Sequence, residues 1–227
     1  MLKIKLILEG FIINFSSYQI NDMRFYSYIL ILILILVFQH SLFAQESELI
    51  KSSKEFQEKL DHDYADPKES PLDEKDLKEF RGLDFFEIDA NYIVKAEFVR
   101  TPSEPPFAMK TSTDRLPIYV KYGELYFRLM GKDLKLNVYQ NQELVQDPEY
   151  YDYLFLPFTD LTNGESTYGG GRYIDLRIPD SNEVIIDFNK AYNPYCAYNG
   201  KYSCPVPPEE NDLDVEIFAG VKSFDEY

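Results

Sequence analysis

The side chains able to do chemistry concentrate in one stretch near the C-terminus, residues 155–211. In order it offers Asp160, Thr167, Tyr168, Gly171, Arg172, Asp187, Asn189, Tyr192, Asn193 and Asn211, with Cys196 and Cys204 among them. Carboxylates, carboxamides and a guanidinium can grip a polar ligand, because the planar arginine fork matches a carboxylate and an amide both donates and accepts. Two carboxylates set side by side would do more. Each raises the other's proton affinity, which makes an acid–base pair or a hard-cation site. Histidine chemistry is nearly closed off, since beyond residue 44 the sequence holds His62 alone, far from this stretch.

Gly169, Gly170 and Gly171 precede Arg172. Consecutive glycines allow close backbone approach to a ligand, and equally a bulge or corner in a sheet. They form no phosphate loop, because neither Gly-Lys-Ser/Thr nor a helix follows. Ser166 is no nucleophile elbow, since the second glycine of that motif is missing. Asp160-Leu-Thr-Asn-Gly-Glu165 resembles a calcium loop only loosely, with its glycine one position early, so no metal is assigned. Six tyrosines, Tyr168, Tyr173, Tyr192, Tyr195, Tyr198 and Tyr202, cluster here. Rings with polar tips suit a wet binding pocket such as one for sugar, although most aromatic residues of a β protein fill its core and sheet faces.

The elements that must position these groups are mostly strands. Leu49, Phe56, Leu60 and Tyr64 recur at helical spacing and predict an amphipathic helix over 48–64. Ser70-Pro71 at the start and Gly82 at the stop predict a second, short helix near 71–80. Alternating patterns then predict strands at 92–99, 118–122, 125–129, 134–139, 153–159, 173–178, 184–189 and 214–219. Leu125, Phe127 and Leu129 share a face with Leu134, Leu136 and Val138 across the turn at Met130-Gly131. Many short strands in hairpin order predict a mainly β fold, an antiparallel barrel or sandwich with one or two N-terminal helices; α+β is the alternative.

A hairpin around Pro179–Asn182 would place Ile174 opposite Phe188, Asp175 opposite Asp187 and Tyr173 opposite Asn189, with Arg177 diagonal to Asp187. That arrangement yields either a carboxylate pair or a surface ion pair. Arg172, at the strand's start, could hold a ligand carboxylate or pair with Asp160 or Asp187 of its own chain.

Residues 23–44 read as a signal peptide: Arg24 at the start, an apolar core over 28–38 and Ala44 at the cut. That core is shorter than the roughly 20 residues a membrane-spanning helix needs, so no stable membrane insertion follows cleavage. Residues 1–22 precede a complete leader with its own methionine, Met23, and read as a spurious upstream extension. Residues 45–82 then form a helical segment and 83–227 the β domain carrying the block. The expected location is the periplasm or the exterior of the cell.

Net charge is −16, and removing the leader makes the remainder more acidic still. Such a charge repels phosphate backbones and argues against nucleic acid as partner. A monomer with an unknown small-molecule partner, or none, is expected, and no cofactor is implied. In an oxidising compartment Cys196 and Cys204, with Asn199-Gly200 turning between them, read as a disulfide. The rival, a metal pair, lacks further ligands.

The block resembles the bacterial domain of unknown function 1684 family, in a short, exported form. The resemblance runs from about Phe56 to the C-terminus. It is carried by Phe158, Asp160, Thr162, Gly164, Thr167, Tyr168, Gly171, Arg172, Asp187, Asn189, Ala191, Tyr192, Pro194, Cys196, Cys204, Pro205, Pro208, Asn211 and Gly220. Ser70-Pro-Leu72, Gly82-Leu83 and Val120–Glu124 add to it. The closing motif departs: Ala219-Gly-Val-Lys222 stands where the family has Ala-Gly-Glu-Lys. The resemblance implies no activity, substrate or cofactor. Three function classes follow from the residues: an exported ligand-binding domain, a hydrolase working with carboxylates and tyrosine, or a structural module in which the block fixes a difficult chain path.

Overall fold

The computed structural model describes residues 26–28, 30–37 and 46–224. The extension 1–22 and the cut at Ala44 lie outside the described residues. Within residues 23–44, expected to be a signal peptide, 26–28 and 30–37 are helical. Among the described residues no helix is long and apolar enough to cross a membrane. The chain divides into two units at Glu48 and Leu49, and the second holds the β fold.

Helix α1, residues 46–65, turns Ser53, Phe56, Gln57, Leu60 and Tyr64 inward at helical spacing. Helix α2 spans Glu74–Glu79. Its cap is Asp73, which accepts from Lys75 N and Asp76 N, and not the Ser70-Pro71 start expected. Ser70 instead accepts from Leu72 N at 3.2 Å in a local turn.

Eight strands follow: β1 Ile93–Arg100, β2 Phe107–Ala108, β3 Ile118–Leu129, β4 Lys132–Asn141, β5 Tyr153–Asp160, β6 Arg172–Arg177, β7 Glu183–Asp187 and β8 Asp212–Leu213. The main path runs β6-β5-β4-β3-β1-β7, all antiparallel, and curls into a half-barrel. β2 pairs with β3, and β8 lies parallel to β5. The two strands expected at 118–122 and 125–129 are one strand with an irregularity between Lys121 and Gly123. Leu125 faces Leu136 and Phe127 faces Leu134, as the alternation requires. Met130 and Gly131, both at positive φ, make the two-residue turn whose twist suits a hairpin.

One face of the curled sheet holds the main core, including Leu125, Leu136, Leu156, Ile174 and Ile186. Burying a side chain of this size contributes about 1.5–3 kcal/mol. Val215, Ile217 and Ala219 complete that core from the C-terminal segment. The expected strand over 214–219 is absent; only Asp212–Leu213 is a strand there. The opposite face of the sheet, at β3–β6, is aromatic: Tyr119, Tyr139, Phe155 and Tyr173 pack with Tyr153 and Tyr192.

Candidate functional site

β6 and β7 are consecutive strands, yet they form opposite edges of the sheet. The hairpin register expected for them does not occur. Asp175 stands opposite Phe155 of β5, and Asp187 stands opposite Ile93 of β1. No Asp175–Asp187 pair exists. The chain leaves β7 through a turn at Phe188–Lys190 and returns to the free edge of β6. There Tyr173 and Tyr192 exchange backbone hydrogen bonds at 2.9 and 3.0 Å. Tyr173 therefore faces Tyr192 where the hairpin would have given Asn189.

Most of the expected ligand-binding residues are enclosed and internally partnered. Arg172 has no solvent exposure, and its guanidinium donates to Asp160 Oδ2 at 2.8 Å, to Ile217 O at 2.9 Å and to Ala219 O. Asp160 Oδ1 accepts from Thr162 N and Oγ1 and from Ile217 N at 3.2 Å. The ion pair thus takes the place of a neighbouring strand for residues 217–219. Burial lowers the proton affinity of the guanidinium, and the Asp160 charge opposes this. Its Nε atom has no protein partner.

Asp187 accepts from Ser53 Oγ at 2.7 Å and from Asn189 N and Nδ2 at 3.0 Å, which anchors α1 to the end of β7. Asn189 also holds the backbone of Asp89, donating to its carbonyl and accepting from its N–H, both at 3.0 Å. Asn211 bridges β4 and β5: its Nδ2 donates to Asn137 O and Pro157 O at 2.8 and 2.6 Å, and its Oδ1 accepts from Asn137 N at 2.8 Å. Asn193 Nδ2 donates to Lys222 O at 2.8 Å. Thr167 shares hydroxyl bonds with Thr162 and Asn163. Gly171 sits at φ +87°, where a Cβ would meet Phe158 O and Pro207 Cγ at 2.7 Å, so its freedom serves packing and not a ligand. Val221, at the departing position of the closing motif, is buried and bridges to Phe85.

An open cavity lies on the aromatic face of the sheet. It measures about 470 Å³, within the range of small-molecule sites, and α1 forms one wall through Phe56, Lys59, Leu60 and Asp63. β5 and β6 supply Tyr153, Phe155, Tyr173 and Asp175, and the returning segment supplies Tyr192, Tyr195, Tyr202 and Cys204. Four of the six clustered tyrosines thus line it; Tyr168 and Tyr198 do not. Of the expected ligand-binding residues only Tyr192 lines it. Tyr119 and Tyr153 were legible as strand residues alone; Tyr153 alternates with the core residues Leu154 and Leu156, whereas Tyr119 reaches this face only through the irregularity between Lys121 and Gly123.

Two acids line this cavity, Asp63, which is paired with Lys59, and Asp175. Tyr153 and Tyr192 both donate to its Oδ1 at 2.7 Å. No described residue donates to Oδ2. Asp175 is an exposed residue at the cavity wall, although protein atoms packed around its carboxyl group displace part of its water. That desolvation raises its carboxyl above the ordinary range, and the two phenol bonds oppose the rise. Desolvation also pushes both phenols well above their usual values, and the Asp175 charge adds to this. Nearby cations are engaged elsewhere: Arg177 with Asp152 at 2.7 Å, and Lys59 with Asp63. The rings are interlocked, Phe155 against Tyr173 at 4.7 Å and Tyr173 against Tyr192 at 5.9 Å, both edge to face. Such contacts hold the wall in place before any ligand arrives.

Cys196 and Cys204 are neighbours with free thiols; Cys196 N donates to Cys204 Sγ at 3.1 Å. The Cys204 thiol holds the Cys196 thiol down to about 6, and Cys204 itself is pushed up. Among the described residues no group of three or more His, Cys, Asp or Glu side chains comes together to hold a metal ion.

Residues 78–222 match the family described as Protein of unknown function (DUF1684). This chain belongs to the DUF1684 family. Among solved structures, the solution NMR structure of an uncharacterized protein from Haloarcula marismortui is similar to it. The identity is 31%, over 76% of this chain and 92% of that one, with a TM-score of 0.60. No curated protein matches the chain. The enclosed residues described above, from Phe158 to Gly220, all fall inside the part that matches DUF1684. The α1 wall of the cavity lies before it.

Proposed function

We propose that this DUF1684 protein is an exported, monomeric small-molecule-binding domain whose site is the tyrosine-lined cavity, and that the signature block is the scaffold of that site. One observation carries the reading: Asp175, in the wall of a cavity of about 470 Å³, has Oδ1 held by two phenol donors at 2.7 Å and Oδ2 without a donor among the described residues. A concave, mostly aromatic wall with a few converging polar groups is the usual form of a small-molecule site. Export rests on the leader at 23–44, and the strong negative charge argues against nucleic acid as the partner. Closure of Cys196 and Cys204 as a disulfide fits the same compartment.

The test is a thermal-shift screen of the purified protein against sugars, amino acids, amines, nucleotides and divalent metals, beside Asp175→Asn. A ligand at about 100 times its Kd raises stability by about 2.7 kcal/mol, several degrees in Tm for a domain of this size. The reading expects a hit that Asp175→Asn weakens. A hit unaffected by that change, or none in any class, contradicts it.

A further inference from the structure

We infer that the cavity selects a small organic ammonium ion, with the positive nitrogen at Asp175 Oδ2 and the carbon body against the tyrosine rings. This deepens the pocket reading above and rests on it.

The lining supplies a single unpaired charge, the Asp175 carboxylate. The two hydroxyls nearest it, those of Tyr153 and Tyr192, are already committed to its other oxygen. The Tyr173 hydroxyl is committed as well, donating to Pro205 O. What remains for a ligand beside Asp175 is an acceptor with negative charge, ringed by aromatic groups whose faces also attract cations. A sugar needs several donors and acceptors together; the three hydroxyls around Asp175 are committed, and the further hydroxyls of the lining, Tyr195, Tyr202 and Ser203, come from the returning segment. An anionic ligand would meet Asp175 directly, and the cations nearest that carboxylate are paired, Lys59 with Asp63 and Arg177 with Asp152. The strongly acidic chain would also concentrate cations at its surface and speed their capture. Burial that raises the Asp175 carboxyl is relieved when a cation arrives, so binding favours the charged form.

The test pairs each cation with an uncharged counterpart of the same shape: choline against 3,3-dimethyl-1-butanol, and phenethylamine against phenethyl alcohol. Binding to the purified protein is followed by ligand-observed NMR, with glucose and glutamate as further probes. At least one ammonium ion is expected to bind about tenfold more tightly than its neutral counterpart, with the difference lost in Asp175→Asn. Equal binding within both pairs, or binding of glucose or glutamate while neither ammonium binds, overturns the inference and leaves a pocket of another specificity. No binding by any probe, with Asp175→Asn indistinguishable from the parent protein in stability, overturns the inference and the pocket reading together.

Discussion

Arg172 and Asp175 sit three residues apart on β6 and leave it on opposite faces. Arg172 enters the core and meets Asp160 at 2.8 Å, while Asp175 meets Tyr153 and Tyr192 in the cavity. One strand therefore carries both the scaffold and the candidate site. The two acids have different fates because one has a buried cation as partner and the other has neutral phenols.

Asp175→Asn is expected to stabilise the protein at neutral pH. The sign follows from the raised carboxyl: a group whose folded value exceeds its unfolded value, about 3.9, adds stability that is complete below the unfolded value. That stability is lost as pH rises through the folded value. Asparagine keeps an acceptor for both phenols and removes the desolvated charge. Thermal melts across pH should show the variant above the parent protein near pH 7 and the gap shrinking in acid.

Arg172→Ala leaves Asp160 buried without its cation and strips two carbonyls of their donor. A loss of about 3–5 kcal/mol is expected. Arg172→Lys should recover little of it, since an ammonium on a flexible stem cannot reproduce a fixed fork to Asp160, Ile217 and Ala219. Denaturant melts measure both.

Asn211→Ala should cost about 3 kcal/mol. It leaves the N–H and carbonyl of Asn137 and the carbonyl of Pro157 unpaired between β4 and β5. Hydrogen exchange at Asn137 should rise well before that of the β3–β4 hairpin.

Oxidation should close Cys196 to Cys204 and raise stability by about 2.5 kcal/mol through the unfolded state. Alkylation followed by mass spectrometry, with melts in the presence and absence of reductant, reads both the bond and its effect. A protein that stays fully alkylatable after oxidation would contradict the pairing.

How much of this was legible depended on whether a residue's partner was local. The β3–β4 hairpin could be read because strict alternation and the Met130-Gly131 turn lie within one segment. α1 could be read because its inward residues repeat at helical spacing. The pairing of β6 with β7 could not: alternation assigns faces to strands and says nothing of which strands are neighbours. The segment 214–219 alternates like a strand, with Val215, Ile217 and Ala219 buried, but Arg172 satisfies its carbonyls where a ladder would. Arg172 with Asp160 was among the readings open from the sequence. The association of Asp175 with Tyr153 depended on β5–β6 pairing, and with Tyr192 on the return of the chain to that edge, so neither could be read from spacing.

On the proposed reading, ligands meet the Asp175 face of β6 and not the Arg172 face. NMR of the protein carrying labelled tyrosine, titrated with the best-binding compound, tests it most directly. Shifts are expected at Tyr153, Tyr173 and Tyr192, with Tyr92 in the main core unmoved. Shifts absent from those three residues, or largest at Tyr92, would contradict it.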